Sequence, residues 1–326
     1  PETLVGSETH RTMTPSFPDP SPASDSDTPD PTAPVPAGRP DPPTTPMVST
    51  QPAFHRPTLA VIHLSHIQAN LRAVRQKVGS ARKVWAIVKA NAYGHGMLRV
   101  ADACLAAGAY GLGVATTDEA IRLRDRFHTS PILLLGPSLP ADAEDLVANE
   151  IEVAVGDPVM ARALSGAAAR LERHARAHLK VDTGMGRFGF AAEELSARAS
   201  ELAALPAIHW KGVFTHFAVS DSPAPEDILY TSMQLRWLRR AMGDLVKHFP
   251  SGKGALPMLH ACNSGGVLQH TEAYLDAVRP GIMLYGHLPD PLCKPTVPLL
   301  PGMTLKTRIV HLRTHTAGST LSYGRT

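Results

Sequence analysis

From residue 58 onward the apolar positions switch between two periods. Short β-type runs alternate with stretches spaced for one-sided helices, repeating about every 20 to 45 residues. An opening strand at 59–64 and a helix at 65–78 come first. Strands are then predicted near 84–88, 111–115, 132–135, 152–155, 178–182, 208–215, 257–261 and 276–279. Between them lie helices at 97–107, 117–127, 158–174, 192–204 and 228–249. Alternation of this kind implies parallel strands joined by crossover helices. Eight such strands, with no GxGxxG turn after the first, favour an α/β fold of the closed (β/α)8 TIM-barrel type over an open doubly wound sheet. After Gly286 the pattern changes to a Pro-rich linker (288–301), followed by apolar alternation over 305–312. The latter reads as the first strand of a C-terminal all-β domain.

Composition divides the chain further. Residues 1–57 hold 15 of the 30 prolines and almost no periodic apolar positions, so this segment is expected to be a disordered tail. The expected organisation is therefore a tail at 1–57, a barrel at 58–287, and a linker with an incomplete β domain at 288–326. Pro1 stands where a Met would begin a gene product, Met47 reads as a start, and 321–326 reads as a strand just begun. Neither end is thus expected to be natural: the first reads as that of a processed chain, a fragment or an upstream reading of the gene, and the last falls inside a domain.

Charge excludes some classes of partner. The 32 basic and 29 acidic residues are interspersed, with a net charge of +3, and there is no basic run for nucleic acid or an anionic membrane. No apolar run approaches the roughly 18 residues that span a bilayer, and no secretory signal layout opens the chain. Cys104, Cys262 and Cys293 have no CxxC spacing, which argues against disulfides or a structural zinc and for a reducing, cytoplasmic setting. No metal site is expected. Small-molecule chemistry remains.

In a barrel of this type the site lies at the C-terminal strand ends. Lys89 ends a buried apolar strand, where it either snorkels to the rim or is paired or used covalently. His216 ends another strand and reads as a satisfied rim histidine or a site residue. Asn263-Ser264-Gly265-Gly266 opens a short helix, as an ordinary N-cap or as a phosphate cradle.

These strand ends carry a resemblance. Val88-Lys89-Ala90-Asn91-Ala92-Tyr93-Gly94-His95-Gly96 resembles, residue for residue, the segment bearing the Schiff-base lysine of alanine racemases. The run His178-Leu179-Lys180-Val181-Asp182-Thr183-Gly184-Met185-Gly186-Arg187 is similar to the family's fifth-strand motif. Thr215-His216-Phe217-Ala218, Asn263-Ser264-Gly265-Gly266 and Arg279-Pro280-Gly281-Ile282-Met283-Leu284-Tyr285-Gly286 match further family segments. The resemblance covers residues 57–326.

What it implies is a pyridoxal 5'-phosphate (PLP) isomerase that interconverts L- and D-alanine and supplies D-alanine for peptidoglycan, homodimeric in its full-length form. By the same resemblance, Lys89 joins the cofactor as an imine and serves as one of two bases. Arg187 holds the substrate carboxylate and the cofactor's phenolic oxygen, His216 lies against the ring, and Arg279 faces the pyridine nitrogen. Tyr93, Ser264 and the backbone of Gly281 and Ile282 surround the phosphate beside Asn263. Lys180 corresponds to a lysine that is often carbamylated; read alone, it is equally an ordinary lysine paired to Asp182. The family's second base is a tyrosine in a Gly-Tyr-Ala-Asp-Gly segment that these 326 residues do not contain, and Tyr323 does not take its place. The chain is therefore expected to form the imine and to racemise poorly. Alternative readings are a PLP racemase or decarboxylase for another amino acid, a non-catalytic PLP-carrying barrel, and a truncated pseudoenzyme.

Overall fold

Short apolar strands close on themselves in the computed structural model of the chain, which describes residues 57–248 and 257–325. All of these lie in one compact unit, Phe54–Thr326. The first half contains β1 (Leu59–Ile62), α1 (Leu64–Val78), β2 (Lys83–Ile87), α2 (Lys89–Tyr93), α3 (Met97–Ala106), β3 (Gly111–Val114), α4 (Thr117–Arg124), β4 (Ile132–Leu134), α5 (Ala143–Ala148), β5 (Glu152–Val155) and α6 (Pro158–Arg170). The second contains β6 (Ala175–Asp182), β7 (Phe190–Ala191), α7 (Ala192–Ala204), β8 (Ile208–Phe214), α8 (Pro225–Leu245), β9 (Met258–His260), α9 (Ser264–Gln269), β10 (Ala277–Val278) and β11 (Met303–Lys306).

The eight strands β2, β3, β4, β5, β6, β8, β9 and β10 pair in that order, all parallel. The ring closes through β10 against β2. This is the barrel that the alternation predicts. Strands β3, β4 and β5 are buried at every position, as expected of parallel strands covered on both faces. Helices dock by one face: in α1 the residues Ile67, Leu71, Val74 and Val78 are buried at helical spacing. Start signals are local. Asp157 caps α6 by accepting the Met160 N–H at 2.8 Å, with Pro158 at its first turn.

The C-terminal part departs from the sequence reading in three ways. The opening strand, grouped with the barrel at 58–287, pairs instead with β11, antiparallel from Leu59↔Lys306 to Ile62↔Met303. The strand read at 305–312 stops at Lys306; Ile309, Val310 and Leu312 beyond it are more than 80% exposed, because their alternation meets no second apolar face. Residues 321–326, read as an incipient strand, contain a tight turn at Tyr323–Arg325. The linker itself is anchored. Asn70 Nδ2 donates to the carbonyls of Leu284 (3.0 Å) and Leu300 (2.8 Å), while its Oδ1 accepts the Leu300 N–H (2.7 Å). All of the tail read at 1–57 except its last residue, and residues 249–256 between α8 and β9, fall outside the described residues. Among the described residues no helix is long and apolar enough to cross a membrane.

Candidate active site

Lys89 follows β2 and opens a turn that an ordinary chain avoids. Ala90, Asn91, Ala92 and Tyr93 have φ of 51, 52, 56 and 52°, a left-handed helical turn without glycine. Such a conformation costs roughly 1–2 kcal/mol per L-residue, so the surroundings must hold it. The Ala92 N–H reaches the Val88 carbonyl (2.8 Å), the Met97 N–H reaches Asn91 Oδ1 (2.9 Å), and His95 Nδ1 donates to the Tyr93 carbonyl (2.9 Å). The Glu119 carboxylate accepts from the N–H groups of Asn91 (3.3 Å) and Ala115 (3.0 Å), tying the turn to the end of β3.

Around Lys89, at the C-terminal strand ends, lies a cavity of ≈ 430 Å³. All ten candidates border it: Lys89, Tyr93, Lys180, Arg187, His216, Asn263, Ser264, Arg279, Gly281 and Ile282. Apolar walls come from Ile87, Leu135, Pro137, Phe188, Phe214 and Pro289, residues that sequence reasoning did not single out.

The basic groups differ in state. Arg279 is buried and still bonded: Nη2 donates to the carbonyls of Thr215 (2.6 Å) and Ala261 (2.9 Å), and Nη1 to His260 Nδ1 (2.7 Å). Burial pushes its pKa down to about 10, so it remains a cation at neutral pH. Burial also lowers Lys180 to about 8, with the charges of Arg279 and Arg187 adding to the effect and that of Asp182 opposing it. Lys180 Nζ donates to the Val181 carbonyl (3.0 Å), and Asp182 is engaged elsewhere, so the reading of a simple Lys180–Asp182 pair is not what the hydrogen bonds form. His216 is held neutral, its pKa well below the usual value, by desolvation and then by Arg279, Arg187, Lys180 and Lys89.

Asp182 organises the loop that carries Arg187. Its Oδ1 accepts the N–H groups of Gly184 (2.9 Å), Met185 (2.8 Å) and Gly186 (3.1 Å), and its Oδ2 accepts that of Arg187 (3.1 Å). Partial burial raises its pKa, but the backbone N–H groups and the Lys180 charge outweigh that and hold it below the ordinary carboxylate value. The signal was present in the sequence: an Asp followed by two glycines within four residues is an Asx-type turn.

On the opposite side, Asn263 caps α9 by accepting the Gly266 N–H at 3.0 Å. Ser264 Oγ accepts the Gly281 N–H (3.0 Å), so that amide serves the serine and not the cavity. The N–H groups of Ser264, Gly265 and Ile282 have no acceptor among the described residues. A side chain at Gly281 would come within 2.6 Å of Tyr93 Oη, so the glycine keeps this corner open. Three free amides, the Ser264 and Tyr93 hydroxyls and a buried guanidinium make a donor set suited to an anionic group on a flat ring, beside a lysine able to attach it.

A closed parallel barrel whose strand ends gather two lysines and two arginines around one cavity defines the class: a (β/α)8 protein built for a small anionic ligand. The family follows from comparison with known proteins. The model of the alanine racemase N-terminal domain matches residues 62–289. The alanine racemase of Symbiobacterium thermophilum is 41% identical over 272 residues, covering 83% of this chain and 70% of that protein. That of Clostridium perfringens is 40% identical over 276 residues, covering 83% and 69%. The solved alanine racemase of Clostridium difficile 630 superposes with a TM-score of 0.74 at 32% identity, over 83% of this chain and 70% of that one. The Bacillus anthracis enzyme with bound L-Ala-P gives 0.73 at 31%, over 84% and 69%. The chain belongs to the alanine racemase family.

Proposed function

We propose that the chain is a PLP-dependent isomerase acting on alanine, with Lys89 as the group that attaches the cofactor and moves the α-proton on one face of the substrate. The observation that carries this reading is the convergence of Lys89, Arg187, Arg279, Ser264 and Tyr93 on one cavity at the strand ends. Solved relatives with L-Ala-P or cycloserine bound support the substrate class. When bound, PLP supplies an electron sink that spreads the negative charge left at Cα when the proton departs.

The protein's own residues do the rest. The hydroxyls of Ser264 and Tyr93 and the free amides of Ser264, Gly265 and Ile282 would hold the phosphate, with Asn263 fixing the helix start behind them. Arg187, on its Asp182-braced loop, would bind the substrate carboxylate. Arg279, a cation with three of its donors already committed, would meet the ring nitrogen and disfavour a proton there. Neutral His216 would lie against the ring without adding charge. Lys180, neutral in appreciable fraction near pH 8, has the free amine that carbamylation by dissolved carbon dioxide requires; the resulting anion would brace Arg187. Phe188, Phe214 and the prolines keep water from the reacting atoms.

By extension, residues 288–326 hold a linker and the start of a β-rich domain, the protein is a cytoplasmic homodimer, and the D-alanine formed feeds peptidoglycan. The test is α-proton exchange of L- and D-alanine in heavy water with PLP and chiral analysis, using Lys89→Ala as control. Exchange that depends on Lys89 is expected, while exchange that survives Lys89→Ala, or none at all in the wild type, rules out the assignment. Exchange confined to one enantiomer would mean that Lys89 serves a single face.

A further inference from the structure

Behind Arg279 the barrel interior contains an unbroken line of polar side chains. His260 Nδ1 lies 2.7 Å from Arg279 Nη1, His260 Nε2 lies 2.9 Å from His178 Nδ1, and His178 Nε2 lies 2.7 Å from Glu152 Oε2. The line crosses from β10 through β9 and β6 to β5. Both imidazoles are fully buried, and Glu152 is 4% exposed.

The chemistry of the first member orders all the others. A guanidinium only donates, so His260 Nδ1 must accept and be bare of hydrogen. His260 then carries its single proton on Nε2 and gives it to His178 Nδ1, which must also be bare. His178 in turn holds its proton on Nε2 and gives it to Glu152. A doubly protonated His178 would point a hydrogen at His260 Nε2 and leave His260 without any proton, an imidazolate that a buried site does not sustain. We infer that Glu152, His178 and His260 are positioning residues that lock Arg279, through two neutral imidazoles in one tautomeric order, with its remaining donors turned to the cavity.

Packing supports the lock. Phe214 stacks on His260 at 4.8 Å and 6°, and Trp85 meets His178 edge-on at 6.1 Å, so neither ring can turn over without displacing an aromatic neighbour. Burial and the charge of Arg279 hold His260 well below its usual pKa, in agreement with a neutral ring. Of the five guanidinium hydrogens, two go to carbonyls and one to His260, which leaves the Nε–H and one Nη1–H for a ligand. The consequence for catalysis rests on the proposed function, but the tautomeric order does not.

The experiment is ¹⁵N spectroscopy of the full chain with labelled histidine, before any cofactor is added, using His178→Gln and His260→Gln for assignment. Both rings should show a protonated Nε2 and a bare Nδ1 at neutral pH. A proton on Nδ1 or an imidazolium at either ring overturns the inference. Glu152→Leu removes the terminal acceptor. It should leave the His178 Nε2 proton without a partner, so that the His178 signals shift while His260, still ordered by Arg279, keeps its bare Nδ1, and it should lower kcat for α-proton exchange on the order of tenfold, as outer-shell changes do. KM should stay within about twofold, since Glu152 touches no substrate. Glu152→Gln keeps an accepting oxygen and should restore both the His178 signals and kcat. If both variants match the wild type, the line is only structural and the inference fails. A wild-type chain that exchanges no α-proton refutes the proposed function alone, because the histidine spectra are read without it.

Discussion

Replacing Asp182 by Asn tests whether the loop that carries Arg187 is held by one carboxylate. Four backbone N–H groups converge on it at 2.8 to 3.1 Å. An asparagine can keep its Oδ1 on the three N–H groups of Gly184, Met185 and Gly186. Its amide nitrogen then faces the Arg187 N–H, donor against donor. One hydrogen bond to a charged group, about 1.5–3 kcal/mol, is lost, and the other three weaken because a neutral acceptor binds roughly half as strongly. The loop is partly exposed, so water offsets a share, and about 2 kcal/mol of loop order remains at stake. If Arg187 binds the substrate carboxylate, this appears as a rise in KM for alanine of roughly 10- to 30-fold. The change in kcat should be smaller.

The assay is α-proton exchange as a function of alanine concentration, alongside thermal melting. The pH dependence has a definite sign. The folded carboxyl titrates below its ordinary value, so its contribution is complete above the unfolded pKa of about 3.9 and is lost as pH falls through the lower folded value. Across the neutral range the KM effect should therefore not vary on account of Asp182. An unchanged KM accompanied by a lower melting temperature would show that Asp182 serves the fold and not Arg187, and would refute the reasoning.

Four further predictions rest on the same structure. Gly281→Ala places a Cβ 2.6 Å from Tyr93 Oη; it should weaken PLP binding at least tenfold in an absorbance titration, about 1.4 kcal/mol, while leaving the melting curve of the cofactor-free chain nearly unchanged. Asn70→Leu removes three hydrogen bonds that pin the linker to α1 and strands buried carbonyl and amide groups; it should cost about 3 kcal/mol by denaturant unfolding. Amine modification of Lys180, followed by peptide mass spectrometry, should be half-maximal near pH 8, whereas exposed lysines require a pH above 10. Because burial penalises its charged form, Lys180→Met should stabilise the fold at neutral pH, and the difference should shrink as pH rises toward the unfolded lysine value.

Much of the architecture was legible because it depends on short-range patterning. Buried parallel strands read as unbroken apolar runs, helices show their one-sided spacing, and each segment announces itself within ten or twenty residues. That ten candidates border one cavity was legible for a different reason: they sit in strand-end segments that resemble a known family, and the barrel's closure brings those ends together whatever lies between. Tertiary structure alone decided what depends on partners remote in the chain. The alternation of 59–64 says that a strand is present but not that it pairs with 303–306, more than 200 residues away, nor that 307–312 finds no face to bury. The left-handed turn after Lys89 runs against the local preference of Ala, Asn and Tyr. It exists because Glu119 and His95 hold it from outside. The tautomers of His178 and His260 are set by a guanidinium on another strand. A side chain's proton and a turn's handedness are fixed by what surrounds them in space, and linear order does not record those neighbours.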